Sequence, residues 1–321
     1  MDTRRIGSLT VSAVGLGCNN FGGRLDAAAT REVVRAALDA GVTFFDTADV
    51  YGGTHSEEFL GRALDDLLGA RRRDVVVATK FGSRIDDARQ GARPEYVRRA
   101  AEDSLRRIGA DVIDLYQLHR PDPAVPVADT LGALGELVRE GKVREVGCSN
   151  FSVALLREAA AAPAGVRFVS VQNEYSLLHR EPEHDGVLAE CEREGLAFLP
   201  YFPLASGLLT GKYRRGEPAP SGTRLGSGGW GADRLTDENL ARVERLEAVA
   251  ARAGRTVLDL AVAWLLARPA VASVIAGATR PEQVRANAAG AAWRLGADDL
   301  AAVDAALAGV TRTDEPAAVA R

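Results

Sequence analysis

Short apolar runs rich in β-branched residues recur along the chain: VSAVGLG near 11, TFFDT near 43, DVVVATK near 74, VIDLYQLH near 112, VREVGCS near 143, RFVSVQNE near 167, LAFLPY near 196 and ASVIAG near 272. Their length and unbroken hydrophobicity predict strands buried on both faces. Between them the apolar period lengthens, and TREVVRAALDAG from Thr30, PEYVRRAAEDSLRRIG from Pro94 and DTLGALGELVREGK from Asp129 predict helices. Thr30 reads as an N-cap, Pro94 as a first-turn residue, and Gly41, Gly109 and Gly141 as helix stops. Strands alternating with helices call for parallel pairing through helical crossovers. The predicted fold is therefore α/β, a closed (β/α)8 TIM barrel. RRIGSLTVS ahead of it predicts a short N-terminal β-hairpin turning at Gly7-Ser8 and closing one end. An open doubly wound sheet has the same element order, but GLGCNNFGG lacks the GxGxxG spacing that such a sheet carries after its first strand.

Two stretches break the pattern. The segment from Pro203 to Leu235 is dense in Gly and Pro, and it reads as a mobile cover over a cofactor or substrate in preference to the alternative, a flexible insertion. Thr311 to Arg321 reads as a frayed tail. The whole chain, 1–321, reads as a single domain of ordinary length for a barrel.

Hydrophobic residues at 46% and charged residues at 26% supply a sizeable core and an ordinary surface. A net charge of −4 argues against a nucleic acid as the main partner. Arginine pairs such as Arg98-Arg99 and Arg106-Arg107 read as solvated helix faces. Cys18, Cys148 and Cys191 form neither a disulfide framework nor a CxxC pair. The N-terminus shows no secretory signal, and no apolar run reaches the length of a membrane span. Together these features predict a cytoplasmic protein with no membrane partner. Self-association through the outer helices leaves no mark in the sequence.

In a barrel of this kind chemistry sits where strands end. Asp46 closes FFDT, Tyr51 follows five residues later, Lys80 closes VVVATK and His119 closes LYQLH. Each residue alone has a structural explanation as a cap, a rim aromatic, a surface amine or a satisfied core imidazole. Converging from successive strands, an acid, a phenol, an amine and an imidazole make a proton-transfer site that needs no metal. Carbonyl reduction requires a proton at oxygen. A Lys80 ammonium is expected to lower the Tyr51 pKa, Asp46 to keep the lysine charged, and a neutral His119 to polarise the carbonyl.

FFDTADVYG, VVVATKFG, DLYQLHRPD, GCSNF, QNEYSLL and LLTGKY together resemble the aldo-keto reductase superfamily, from about Arg4 to Asn287. The resemblance implies a catalytic tetrad of Asp46, Tyr51, Lys80 and His119, and NADPH in preference to NADH, bound without a Rossmann domain. It implies that Ser149, Asn150 and Gln172 hold the nicotinamide carboxamide and that Tyr201 stacks on the ring. Leu204, Ser206 and Lys212 would lie at the pyrophosphate, and Gly277, Arg280, Gln283 and Asn287 at the adenosine end. Departures from the family pattern are Phe202 for a common serine, Ala286 for a frequent glutamate, and Thr279 where many bacterial relatives carry arginine. Arg280, next to it, could pair with a 2′-phosphate. Asn19, Asn20, Phe21 and Phe81 are expected in the substrate pocket, the two amides suiting a hydroxylated substrate. Potassium-channel β-subunits share these motifs, so a nicotinamide-binding, redox-sensing regulatory subunit with little turnover is the alternative. A hydrolase with paired carboxylates lacks a clearly placed second acid.

Overall fold

The computed structural model describes residues 1–226 and 231–308; the tail from Thr311 and positions 227–230 of the long loop lie outside the described residues. Strands β1 (Thr3–Ile6) and β2 (Leu9–Ser12) form the expected antiparallel hairpin, with Gly7 at φ 54° in its turn. The barrel strands are β3 (Val14–Gly17), β4 (Phe44–Asp46), β5 (Val76–Phe81), β6 (Ile113–Leu118), β7 (Val143–Ser149), β8 (Ser170–Glu174), β9 (Ala197–Tyr201) and β10 (Val274–Gly277). All eight run parallel in the order β10-β3-β4-β5-β6-β7-β8-β9, and a Phe198–Val271 bridge brings β9 back towards β10.

The α-helices are α1 (Ala27–Asp39), α2 (His55–Leu68), α3 (Pro94–Ile108), α4 (Val127–Arg139), α5 (Val153–Ala161), α6 (Glu181–His184), α7 (Val187–Glu194), α8 (Asp237–Arg252), α9 (Val257–Leu266), α10 (Pro281–Gly290) and α11 (Ala297–Leu307). Pro94 opens α3, and Gly109 at φ 69° ends it. Thr30 is not the cap of α1: Asp26 accepts from the Ala29 amide one turn earlier, and Thr30 is buried inside the helix. Likewise α4 starts at Val127 behind Pro126, ahead of Asp129.

Two side-chain parities divide the barrel. Phe44, Val76, Ala78, Leu115, Ala197, Leu199 and Ile275 fill its interior together with Ile6, Leu9 and Val11 of the hairpin, which plug the N-terminal end. The opposite parity, including Phe45, Val77, Tyr116, Val146, Cys148 and Val171, packs outward under the helices. Followed towards the C-terminal end, the inward parity reaches Asp46, Lys80, Gln117, Ser149, Gln172 and Tyr201, so apolar filling gives way to polar groups at one mouth. The long loop is fastened to this rim: Arg24 donates to the Gly222 carbonyl (3.0 Å), Arg224 to Asn20 (3.3 Å), and Arg234 to both carboxylate oxygens of Glu174.

Candidate active site

Lys80 is fully buried, and its Nζ donates to Asp46 Oδ2 (2.5 Å) and to the Thr47 carbonyl (2.8 Å). A buried ammonium is tolerated only with such partners. Burial lowers the Lys80 pKa, but Asp46 and the Tyr51 phenol outweigh it, and the net shift is upward. The second oxygen of Asp46 accepts from Gln172 Nε2 (3.0 Å) and Gln117 Nε2 (3.2 Å).

Tyr51 opens a short 3-10 turn (Tyr51–Thr54) between β4 and α2, with the Lys80 Nζ 5.1 Å from its ring centroid. The turn needs Gly52: its φ is 58°, and a Cβ there would lie 2.1 Å from the Phe21 carbonyl oxygen. The backbone of Phe21 is thus the wall against which the Tyr51 turn is set. Contrary to the sequence expectation, the Tyr51 pKa is raised, because burial of the phenol exceeds the downward pull of Lys80. The group stays protonated at neutral pH. His119 stands edge-on to it, ring centroids 5.7 Å apart. Burial first, then Lys80 and Arg120, hold His119 well below the ordinary imidazole pKa, so it is neutral. Its buried Nδ1 has no hydrogen-bond partner among the described residues.

A polar chain runs from this cluster across the mouth. Ser149 Oγ donates to the Gln172 carbonyl (2.6 Å), Asn150 Nδ2 to Ser149 Oγ (3.0 Å) and to the His119 carbonyl (2.9 Å), and the Tyr201 hydroxyl to Asn150 Oδ1 (2.8 Å). Asn150 sits at φ 62°, a left-handed position that asparagine accepts more readily than most residues. The Gln172 side-chain amide binds Asp46 and Gln117 (3.4 Å). Gln117 went unnoticed in the sequence, although it stands two positions before His119 with the same inward parity.

Around the ends of β9, β3 and β10 lies a second cluster. Ala205 and Ser206 take positive φ (45° and 57°) ahead of Gly207 at 100°, and the buried Ser206 Oγ is unpartnered among the described residues. Burial and the charges of Arg24, Arg280 and Arg224 lower the Lys212 pKa, so four cations share this rim. Gln283 Oε1 accepts from the Thr279 amide (2.7 Å) and hydroxyl (3.1 Å), Asn287 Nδ2 reaches the Gly277 carbonyl (3.5 Å), and Arg280 is exposed at the start of α10. A Cβ on Gly277 would meet Asn19 Oδ1 and Asn20 Nδ2 at 3.5 Å. Clustered cations beside a row of left-handed backbone suit bound phosphate. Arg24 and Arg224 escaped the sequence reading, because only the folded loop brings them to Lys212.

Three substrate-pocket expectations, Phe81, Phe21 and Asn20, change. Phe81 has outward parity and stacks on Tyr116 (4.6 Å) beneath the helices. Phe21 is fully buried with Val33, Val34 and Leu60 against α1 and α2. Neither presents surface to a ligand. Asn20 is spent on the Ala278 carbonyl (3.2 Å) and Arg224, and Asn19 lies with it at the β10 side, by the cationic rim.

Residues 13–308 match the model of the Aldo/keto reductase family. A probable aldo-keto reductase 1 of Glycine max is 35% identical over 297 residues, covering 90% of this chain and 84% of that protein. A probable voltage-gated potassium channel subunit beta of Oryza sativa subsp. japonica is 36% identical over 275 residues, 83% of each. Among solved structures, the glycerol dehydrogenase of Gluconobacter oxydans superposes with a TM-score of 0.82 at 32% identity, over 96% of this chain and 95% of that one.

Proposed function

Because the chain belongs to the aldo/keto reductase family, we propose that it is an NADPH-dependent oxidoreductase that reduces an aldehyde or ketone to the alcohol, with Tyr51 as proton donor. The observation that carries this reading is the Asp46–Lys80 pair buried behind a protonated Tyr51, with neutral His119 edge-on to the phenol.

The residues fit the cofactor. Lys212, Arg24, Arg224 and Arg280 supply positive charge for the phosphates, and the unpartnered Ser206 hydroxyl adds a donor. Gly277, Gln283 and Asn287 would take the adenosine end, Leu204 would lie along the pyrophosphate, and Ser149, Asn150, Gln172 and Tyr201 would hold the nicotinamide. When bound, the reduced nicotinamide supplies hydride to the carbonyl carbon. Tyr51 gives its proton to the carbonyl oxygen, and His119 holds that oxygen by a neutral hydrogen bond. The phenolate that remains faces Lys80. The ammonium pulls towards the phenolate, an attraction that exists only once the proton has moved. Asp46, fixed by Gln117 and Gln172, keeps the ammonium in place. No described helix is long and apolar enough to cross a membrane.

The test is NADPH oxidation, followed by absorbance with a panel of aldehydes and ketones, repeated with NADH and with Arg280→Ala. Turnover favouring NADPH, with the preference weakened in the variant, is expected. Tight NADPH binding without turnover of any carbonyl would overturn the reductase reading in favour of a regulatory subunit.

A further inference from the structure

Arg120 is left unused by this mechanism. It follows His119 at the C-terminal end of β6, is exposed, and makes no hydrogen bond or ion pair among the described residues. It directly follows His119, whose carbonyl accepts from the Asn150 amide (2.9 Å) that also holds the Tyr201 hydroxyl, which sets it at the reacting end of the mouth, and its charge acts on both His119 and Tyr201. Asp122, two residues on, and Glu174, whose charge also acts on Tyr201, have other partners. Asp122 accepts from the backbone amides of Ala92 and Ala124 (2.9 Å each), and Glu174 is held on both oxygens by Arg234. Across the mouth, Phe202 packs edge-on to Tyr201 (5.2 Å), and the guanidiniums of Arg224 and Arg234 each lie 5.7 Å from its ring centroid. The Tyr201 side of the mouth is therefore aromatic and carries two further guanidiniums, Arg224 being the one already placed with Lys212.

We propose that the substrate carries an oxyanion, a carboxylate or a phosphate, close to its carbonyl, and that Arg120 is the residue that pairs with it. The proposal rests on the carbonyl-reductase reading and adds the substrate class to it. A guanidinium presents a planar fork of donors that matches either oxyanion, and its pairing is strongest where no internal carboxylate competes. It replaces the hydroxylated substrate expected from Asn19 and Asn20, since the Asn20 amide is committed to Ala278 and Arg224. Because the anion would be bound in ground and transition state alike, loss of Arg120 should appear in KM before kcat.

Calorimetry on the protein saturated with NADP+ provides the test. The probes are 4-(hydroxymethyl)benzoate against its methyl ester, and glycerol 3-phosphate against glycerol. The native protein should bind one anionic member at least tenfold more tightly than its neutral partner, and the pair that shows the preference identifies carboxylate or phosphate. Arg120→Gln should abolish the preference while binding NADP+ like the native protein, and Arg120→Lys should restore part of it. Equal binding of neutral and anionic probes, or a preference that survives in Arg120→Gln, would overturn the proposal. Reduction of 4-formylbenzoate and its methyl ester separates the two claims. Equal kcat/KM for both keeps the reductase and removes the anion site, whereas Arg120-dependent binding without any turnover keeps the anion site and removes the reductase.

Discussion

Asp49 stands between Asp46 and Tyr51 and is 1% exposed. One carboxylate oxygen accepts a long hydrogen bond from the Tyr96 hydroxyl (3.4 Å), and the other is unpartnered among the described residues. Its buried neighbour Glu57 takes the stronger donors, Thr79 Oγ1 (2.5 Å) and Arg107 Nε (2.7 Å). Burial, and then the Glu57 charge, push the Asp49 carboxyl up to about 7. In the unfolded chain it titrates near 4. Between about pH 4 and 7 the folded protein thus holds a proton that the unfolded chain has released, and stability must fall as pH rises through that window. Roughly three pK units at 1.36 kcal/mol each make the swing ~4 kcal/mol. Asp49→Asn keeps the shape and removes the titration. Urea unfolding at about pH 4 should find the two proteins similar, and at about pH 8 the variant should be more stable by ~4 kcal/mol. The same loss of stability in both proteins between those pH values would refute the reasoning.

Other outcomes follow from the same structure. Gly52→Ala, whose Cβ would meet the Phe21 carbonyl at 2.1 Å, should shift Tyr51 and lower kcat by about tenfold or more, with NADPH affinity by fluorescence titration unchanged. The pH profile of kcat for reduction should be level from about pH 7 to 9, because Tyr51 is shifted up and stays protonated while His119 is shifted down and stays neutral. A fall in kcat across that range would show that a member of the tetrad titrates within it.

The barrel was legible because each strand advertises itself as a short β-branched run, and the buried cluster of Asp46, Tyr51, Lys80 and His119 because these polar residues close or follow those runs. Side-chain parity explains what was missed. Phe81 follows Lys80 directly, and one step along a strand moves a side chain from the barrel mouth to the helix layer. Applied to Gln117, two positions before His119, the same rule would have found a third partner for the Asp46 site. Phe21 and Asn20 lie in a loop with no periodicity to orient them. The direction of the Tyr51 shift depends on how deeply the phenol is buried, a property of packing that no spacing encodes. Arg24 and Arg224 are 200 positions apart in sequence, and only the path of the long loop brings both to Lys212.

Tyr51→Phe removes the phenolic proton while preserving the ring beside Lys80 and His119. Single-turnover oxidation of bound NADPH by an aldehyde the native protein reduces should slow by about a hundredfold or more in the variant, with cofactor affinity unchanged. Equal rates in the two proteins would contradict the assignment of Tyr51 as the proton donor.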